Sequence, residues 1–324
     1  MKEGLDFDPY IAVSLLTMYS KCGSSEDFIK VCSNVMEWDQ VSFNSIISGF
    51  SHLGSCWEVL QKFSDMRRAC LDMDVFTLAS VLRAVGITTA LQEGRQTHAL
   101  ILKIGLVFNL CIQNGLVSMY AKCGEINDSK NVFLSIVYPD FVSWNSLISG
   151  CAQHGDGNEA IELFEKMMES TVEPDHTTYL AVISACSRAG HVERGLQFFH
   201  QIKGRGSQIS AVTEHYASVV DLLGRAGHLD DAESFVKSML VKPGVSVYRA
   251  LLSACQVHGN VGMAKRAAKS LFELCPNDSG THILLSNVFA ADGSWQHAHL
   301  IRKEMMHKRV RKEPGWSWID SPFA

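Results

Sequence analysis

The chain lacks any long uninterrupted apolar run. No stretch of its sequence approaches the roughly 20 consecutive apolar residues that a membrane-spanning helix needs. The N-terminal segment "MKEGLDFDPY" has neither the apolar centre of a signal peptide nor the Arg- and Ser-rich, acid-poor composition of an organellar transit peptide. The sequence therefore predicts no membrane partner, and no targeting peptide within this chain.

An excess of positive charge is also missing. Lys and Arg number 29 against 34 Asp and Glu, which gives a formal net charge of -5. Because nonspecific affinity for nucleic acid grows with the number of phosphates that a protein neutralises, this balance argues against binding by bulk electrostatics. Any nucleic-acid role must rest on local, base-directed contacts.

The residue groupings of common active sites are absent too. The ten Cys residues never form Cys-x-x-Cys, and most lie within apolar helical patterns, which favours small buried hydrophobes over disulfides or metal ligands. His191-Val192-Glu193 matches the His-x-Glu pattern of zinc deaminases by letters only, because no cysteines stand at ligand spacing. His297 and His299 do not share a helix face and are therefore a poor pair of metal ligands. The sequence contains no Gly-rich phosphate loop and no Ser/His/Asp grouping. It predicts no enzyme, metal, cofactor or small-molecule substrate.

What the sequence does contain is an internal repeat. "QVSFNSIISG" (40–49) returns as "FVSWNSLISG" (141–150), and "LLTMYSKCGSSED" (15–27) returns as "LVSMYAKCGEIND" (116–128), each 101 residues later. That interval can hold three units of 31 to 35 residues, the length of two helices and two turns. Proline, which ends helices, recurs at intervals of about one or two such units: Pro139, Pro174, Pro243, Pro276 and Pro314.

Within one unit the apolar residues have helical spacing. One stripe comprises Ala160, Leu163, Phe164 and Met167, and an earlier stripe comprises Trp144, Leu147, Ile148 and Cys151. A single helix pair cannot bury such stripes, whereas stacked pairs can. The sequence therefore predicts an all-α fold, a right-handed α-solenoid of stacked helix-turn-helix repeats.

The segments "VSWNSLISG", "NEAIELFEKMMESTVEPD" and "MYAKCG" resemble plant pentatricopeptide repeat proteins of the class that alternates 35- and 31-residue motifs, over almost the whole chain. The Trp-x-x-Leu-Gly-x-x-Tyr pattern of the competing tetratricopeptide repeats is missing. The resemblance implies a remnant of a preceding repeat at 1–8, followed by seven repeats at 9–39, 40–74, 75–109, 110–140, 141–175, 176–212 and 213–244.

Residues 245–315 resemble the family's two E motifs, and "RKEPGWSWID" (311–320) resembles the opening of the next extension, so that 316–324 would be its truncated start. Some members of the family continue into a zinc deaminase domain, which this chain lacks. The resemblance therefore implies that a deaminase-bearing partner is recruited through residues 245–315. Exposed features such as Trp295 and the basic run "HKRVRK" are candidates for that contact, although the basic run is equally consistent with a solvated helix end.

The resemblance also implies base-reading residues. In this family the fifth and last residues of a repeat read one base, and Asn with Asp favours uracil; an amide can both donate to and accept from a base edge. An alternative is that these residues only cap helices, but three recurrences of both favour the paired interpretation. The uracil-type pairs are Asn44 with Asp74, Asn114 with Asp140, and Asn145 with Asp175; Val13 with Asp39, Ala79 with Asn109, Leu180 with Val212, and Ala217 with Gly244 leave their bases undefined.

Four cations have aligned spacing. Each stands two residues before a turn glycine, as a stripe that follows an RNA backbone would. Attraction of a cation to a helix C-terminus would give the same pattern, and both interpretations stay open. The four residues are Lys21, Lys122, Arg188 and Arg225.

Together these features predict a sequence-selective binder of single-stranded organellar RNA that specifies a cytidine-to-uridine editing site. The location implied by the resemblance is the mitochondrion, with the chloroplast as the alternative. In this family the last short repeat lies over the fourth nucleotide upstream of the edited cytidine, which places uracil at upstream positions six, seven and nine. The alternatives are a helical-repeat scaffold for protein interactions and a truncated, non-functional family member.

Overall fold

The computed structural model describes residues 9–34, 39–203 and 210–310, and these residues form 18 α-helices and no β-strand. The helices follow one another in pairs joined by short turns. In order they are α1 Pro9–Cys22, α2 Ser25–Asn34, α3 Gln40–His52, α4 Cys56–Arg68, α5 Val75–Thr88, α6 Leu91–Ile104, α7 Leu110–Lys122, α8 Ile126–Leu134, α9 Phe141–Gln153, α10 Gly157–Glu169, α11 His176–Ala189, α12 Val192–Lys203, α13 Thr213–Arg225, α14 Leu229–Lys237, α15 Val245–His258, α16 Val261–Leu274, α17 Ser279–Ala291 and α18 Trp295–His307.

An acidic or amide side chain begins most of the first helices of these pairs. Each such side chain accepts a hydrogen bond from the backbone N–H three residues on, which satisfies one of the N–H groups that a helix start leaves without a partner. The Ser42 N lies 2.8 Å from the Asp39 Oδ1, and the Thr77 N lies 2.8 Å from the Asp74 Oδ1. Other caps of this type are Asn109, Asp140, Asp175 and Asp278.

The turn inside most pairs contains a glycine with positive φ; between α5 and α6 Thr89 adopts this conformation instead, at φ 53°. Gly124, for example, lies at φ 87° between α7 and α8, and Gly190 lies at φ 77° at the end of α11. Residues with a Cβ adopt this left-handed conformation at a cost, so glycine ends the first helix and lets the chain reverse.

The helices form two compact units. The first ends at His154 and also takes Glu162–Glu173, while the second takes Gly155–Ile161 and continues from Pro174. In the first unit α1, α3, α5, α7 and α9 pack on one another in succession, and α4, α6 and α8 each pack against the first helix of the next pair. The second unit repeats this pattern, with α11, α13, α15 and α17 in succession and α12, α14 and α16 packed against the following helix.

Each core is shared between successive pairs. In the first unit Leu16, Phe28, Ile46 and Leu82 belong to one apolar cluster that extends from α1 to α7. Burying a side chain of this size stabilises the fold by about 1.5–3 kcal/mol. All eight residues of the two predicted apolar stripes are buried.

The cysteine prediction is only partly right. Cys56, Cys151, Cys186 and Cys255 are buried as expected, and burial raises the pKa of Cys186 and of Cys255 to about 11. The prediction is wrong for Cys22, Cys70 and Cys111, which are exposed. Cys22 ends α1 and Cys70 follows α4, where the first turn of the next loop leaves the side chain in solvent.

The predicted division into repeats stays a proposal. Helices begin at residues 40, 75, 110, 141, 176, 213 and 245, which are the first residues of proposed units, and this supports it. Residues 1–8, 316–324 and the "RKEPGWSWID" segment lie outside the described residues. None of the described helices is both long and apolar enough to cross a lipid bilayer.

Candidate nucleic-acid interface

Asn44 and Asp74, predicted as one base-reading pair, are in direct contact. Asn44 lies in α3 and Asp74 caps α5, and the Asn44 Nδ2 donates a 2.7 Å hydrogen bond to the Asp74 Oδ2. Thr77, the third residue of α5, lies beside both: its hydroxyl contacts the Asn44 Oδ1 and lies 2.8 Å from the Asp74 Oδ1. Three side chains from two successive helix pairs thus form one hydrogen-bonded group.

The second predicted pair has the same arrangement. The Asn114 Nδ2, on α7, donates a 3.0 Å hydrogen bond to the Asp140 Oδ1 at the start of α9. The hydroxyl of Ser143 lies 2.6 Å from the Asn114 Oδ1 and 2.9 Å from the Asp140 Oδ1. Ser143 and Asp140 also form a capping box, since the Asp140 N–H donates to the Ser143 Oγ and the Ser143 N–H donates to the Asp140 carboxylate.

The Asp140 carboxylate is held in its charged form. Burial would raise the pKa of Asp140, but hydrogen bonds from the Ser143 N–H, the Ser143 hydroxyl and the Asn114 amide outweigh burial, so that its pKa is lowered. An ionised carboxylate only accepts hydrogen bonds, so the Asn114 atom that faces it must be the NH2 nitrogen. The group therefore determines which end of the amide is the donor.

The two residues of the third predicted pair belong to different units. Asn145 is buried on α9 in the first unit, and Asp175 caps α11 in the second. Asp175 forms a capping box with Thr178, whose N–H donates to the Asp175 Oδ1 at 2.9 Å. Asp175 and Thr178 therefore repeat the arrangement of Asp140 and Ser143, and the pairing of Asn145 with Asp175 stays a prediction.

The remaining predicted pairs contain no amide–carboxylate contact. Val13 and Ala79 are partly buried apolar residues, and Asp39 and Asn109 serve as caps for α3 and α7. The hydroxyl of Ser42, equivalent to those of Thr77 and Ser143, is buried and contacts no amide among the described residues. Val212 and Gly244, at the corresponding positions before α13 and α15, form no side-chain cap.

The four predicted phosphate ligands are exposed but differ in their surroundings. The stem of Lys122 crosses Gly86 of α5, and neither Lys122 nor Lys21 forms an ion pair within the described residues. The Arg225 Nε instead lies 2.8 Å from the Asp221 Oδ2, on the same helix. Asp221 also accepts a 2.7 Å hydrogen bond from Ser187, so the charge of Arg225 is already compensated. Arg188 is exposed at the end of α11.

Two sets of residues at this interface were not predicted from the sequence. The hydroxyls of Thr77 and Ser143 follow their caps by three residues, and this Asp-x-x-Ser/Thr spacing could have revealed them. The second set occupies the second position of the first helices and is exposed despite its apolar character. Its members are Tyr10 (85% exposed), Val41 (57%), Phe76 (81%) and Val142 (40%).

A related group occurs in the C-terminal part of the chain. Asp278 caps α17, Thr281 is the third residue of that helix, and the Arg249 Nη2 lies 3.2 Å from the Asp278 Oδ1. Burial would raise the pKa of Asp278, but hydrogen bonds from Thr281 and the nearby Arg249 lower it overall. Arg249 thus takes the place that the Asn amide has in the earlier pairs.

The described residues include no group of three or more His, Cys, Asp or Glu side chains that could hold a metal ion. His191, from the His-x-Glu letters, contacts the Asn158 Oδ1 through its Nε2 at 2.6 Å. His297 and His299 are exposed on α18, and the His297 ring stacks on Phe289.

Comparison with solved structures defines the class of fold. The crystal structure of the pentatricopeptide repeat protein PPR10 in complex with an 18-nt psaJ RNA element matches with a TM-score of 0.71 and 16% identity, over 94% of this chain and 46% of that chain. The structure of PPR10 from maize matches with a TM-score of 0.56 and 19% identity, over 97% of this chain and 51% of that one. The predicted fold, an α-solenoid of stacked helix-turn-helix repeats, is confirmed.

Comparison of sequences defines the family. Residues 41–71, 177–207 and 214–242 match the PPR repeat, 139–188 match the PPR repeat family and 258–320 match the E motif. A chloroplastic and a mitochondrial pentatricopeptide repeat-containing protein of Arabidopsis thaliana are each 39% identical to the chain, over 317 and 320 residues. The alignments cover 98% and 99% of this chain but only 39% and 50% of those relatives. The chain belongs to the pentatricopeptide repeat family, in the class with an E motif.

Proposed function

We propose that this chain binds single-stranded RNA and selects bases through its Asn–Asp pairs. The observation that carries the proposal is the recurrence of one contact, Asn44 with Asp74 and Asn114 with Asp140, at the same place in two helix pairs. Each amide keeps one N–H and one acceptor lone pair for a base edge. Uracil offers both an acceptor and a donor on that edge, and we propose uracil at upstream positions six, seven and nine.

The exposed apolar residues near these pairs support base binding. Val41 lies three residues before Asn44 and Val142 lies three residues before Asn145, each in the first turn of its helix. Exposed apolar and aromatic side chains provide surfaces on which unpaired bases stack. Tyr10 and Phe76, at the same position of α1 and α5, are both more than four-fifths exposed and offer aromatic surfaces of this kind.

The E motif supports a role in organellar cytidine-to-uridine editing. In this proposal the repeats select the site and a deaminase-bearing partner docks on residues 245–315. The last described helix, α18, exposes the apolar side chains of Trp295 (69%), Leu300 (59%) and Met306 (69%), which are available to a protein partner. Lys308 of the predicted basic run is paired with Glu304 at 2.6 Å. Relatives named mitochondrial or chloroplastic support an organellar location, the mitochondrion or the chloroplast.

Filter binding with a uridine-rich oligonucleotide tests the proposal. The chain should bind this RNA above background, and the double variant Asn145→Ser, Asp175→Asn should move the preference at upstream position six from uracil toward adenine. Asn260→Ala, which removes a cap of α16 far along the chain from the predicted pairs, is the matched control. Absence of RNA binding by the unaltered chain would contradict the proposal.

One surface favours the second candidate function, a scaffold for protein interactions. Phe108, Val137 and Tyr138 are each at least 78% exposed and line a shallow cavity between the end of α8 and the start of α7. Leu134, the last residue of α8, is also 78% exposed. If a Val137→Ser, Tyr138→Ser variant lost a protein partner while the unaltered chain bound no RNA, the scaffold function would replace the proposed one.

A further inference from the structure

We propose that the hydroxyl group of Thr77, and its equivalent in Ser143, strengthens selectivity between uracil and cytosine, because it adds to the Asp carboxylate a second hydrogen bond that holds the neighbouring Asn amide in one orientation. This inference rests on the proposed base-reading function. Thr77 and Ser143 are positioning residues, because they act on a base through Asn44 and Asn114.

The geometry around Thr77 favours one arrangement of protons. The Asp74 Oδ2 accepts from the Asn44 Nδ2, and the Asp74 Oδ1 accepts from the Thr77 N–H. With the amide nitrogen on Asp74, the amide oxygen faces the Thr77 hydroxyl. The hydroxyl also lies 2.8 Å from the Asp74 Oδ1, but that oxygen already accepts from the Thr77 N–H. Among the described residues the hydroxyl is the one donor that contacts the Asn44 Oδ1, so we assign its proton to that oxygen.

The same conclusion holds for Ser143. Its Oγ accepts from the Asp140 N–H at 3.2 Å, and its proton is therefore available for the Asn114 Oδ1 at 2.6 Å, the shorter of its two contacts with acceptor oxygens. The carboxylate thus holds the nitrogen end of each amide, and the hydroxyl holds the oxygen end. Turning the amide by 180° would break both hydrogen bonds at once.

The chain contains a natural comparison. Ser42 occupies the same position after Asp39, but the residue equivalent to Asn44 is Val13, which has no amide. The Ser42 hydroxyl is buried and contacts no amide among the described residues; its proximity to Asp39 lowers the pKa of that carboxyl. The hydroxyl therefore meets an amide only where the repeat carries a base-reading Asn.

Amide orientation decides which pyrimidine fits. At the middle of its Watson-Crick edge uracil presents a donor, N3–H, beside the acceptor O4, whereas cytosine presents an acceptor, N3, beside the donor N4–H2. An amide that can rotate about its last side-chain torsion can present either its N–H group or its carbonyl oxygen to the base. Such an amide can therefore pair with uracil or with cytosine at the same position. An amide held in one orientation pairs with only one of them.

The experiment uses the whole chain and RNAs that differ only at upstream position nine, the nucleotide assigned to Asn44 and Asp74. Thr77→Val removes the hydroxyl, keeps the side-chain shape and retains the Thr77 N–H cap of Asp74. We expect the ratio of affinities for uracil and cytosine to fall about three- to tenfold, the effect of one hydrogen bond. Affinity for an RNA abasic at that position should not change.

Two variants serve as controls. Thr77→Ser keeps the hydroxyl and should keep the ratio, whereas a merely structural role of the Thr77 methyl group would predict a loss. Ser42→Ala removes the hydroxyl that contacts no amide and should leave the ratio unchanged. If Thr77→Val fails to fold, Ser143→Ala with RNAs altered at upstream position seven gives the same measurement.

The two possible failures are distinct. If the unaltered chain prefers uracil and Thr77→Val prefers it equally, this inference is wrong and the proposed function stands. If the unaltered chain does not distinguish the two pyrimidines at position nine, or binds no RNA, both are wrong.

Discussion

The side-chain amide of Asn114 donates a hydrogen bond of 3.0 Å to the carboxylate of Asp140, which lies 26 residues further along the chain. Asp140 also caps α9, so one residue begins a helix and holds a side chain of the preceding first helix. Asp140 therefore contributes both to the stability of the fold and to the proposed recognition of a base. Substitutions of Asn114 and of Asp140 should distinguish these two contributions.

The substitution Asn114→Ala should remove base selection at one nucleotide. We expect about tenfold weaker binding of an RNA with uracil at upstream position seven, because a base loses its paired donor and acceptor. The variant should bind RNAs with uracil and with cytosine there equally well. Filter binding of the unaltered chain and of Asn114→Ala to the uracil and cytosine RNAs measures how strongly the base preference depends on Asn114.

Asn260→Ala is the control for this change, since Asn260 caps α16 through the Met263 N–H and belongs to no predicted pair. It should leave the uracil preference intact. Equal loss of preference in both variants would show that the effect of Asn114→Ala is structural.

The salt dependence of RNA affinity should separate the predicted phosphate ligands. Binding to single strands changes with log salt concentration by a slope of about 0.7 per phosphate neutralised. Lys122→Ala should lower the slope by about that amount. Arg225→Ala should change it less, because Asp221 already compensates the Arg225 charge at 2.8 Å. An unchanged slope in Lys122→Ala would exclude a phosphate contact at that residue.

Asp140→Ala should destabilise the fold more than Asp39→Ala. Asp39 accepts the Ser42 N–H, and removing such a cap costs about 1 kcal/mol. Asp140 in addition accepts from the Asn114 amide, whose loss leaves a buried donor unpaired and adds about 1–2 kcal/mol. Urea unfolding followed by circular dichroism measures both variants, and equal losses would mean that the Asn114 contact contributes nothing.

The helix pairs could be predicted from the sequence because their turns and apolar stripes recur along the chain. The resemblance singled out the Asn and Asp of each pair, but it did not predict the hydrogen bonds between them. Glycine turns and apolar stripes have a period, and Asn44 and Asn114 hold the same place within it. The Thr77 hydroxyl was not found, because it belongs to the following repeat and its spacing resembles ordinary helix capping. The pairing of Arg225 with Asp221 depends on side-chain orientation, which spacing from a glycine does not reveal.

Stability should also fall in mild acid because of His215. This residue is 1% exposed; its Nδ1 accepts from the Val212 N–H at 3.2 Å, and its Nε2 donates to the His176 carbonyl oxygen at 2.9 Å. Burial lowers its pKa, with an opposing effect of the His176 carbonyl and of Glu214. A folded-state pKa below about 6.5 means that the unfolded chain takes up a proton first.

The stabilising effect of neutral His215 is thus present above about pH 6.5 and is lost as the pH falls through the folded-state pKa. Thermal unfolding between neutral pH and pH 5 should show a falling midpoint, with a smaller fall in His215→Gln. Burial also lowers the pKa of His98, so part of the fall should remain. His52→Gln, at an exposed site, is the control; a curve in His215→Gln identical to that of the unaltered chain would contradict the assignment.

The packing of α13 on α15 should tolerate no side chain at position 224. A Cβ added to Gly224 would lie 2.5 Å from the Ala254 Cβ, too close for either helix to remain in place. Overpacking of this kind costs about 1–3 kcal/mol, which exceeds the gain of about 1 kcal/mol that alanine brings to a helix. Gly262→Ala is the matched control, because Gly262 is exposed on α16 and its added Cβ would meet nothing closer than 3.8 Å. Urea unfolding should show Gly224→Ala destabilised and Gly262→Ala unchanged or stabilised, and equal stability of the two variants would show that α13 and α15 can move apart freely.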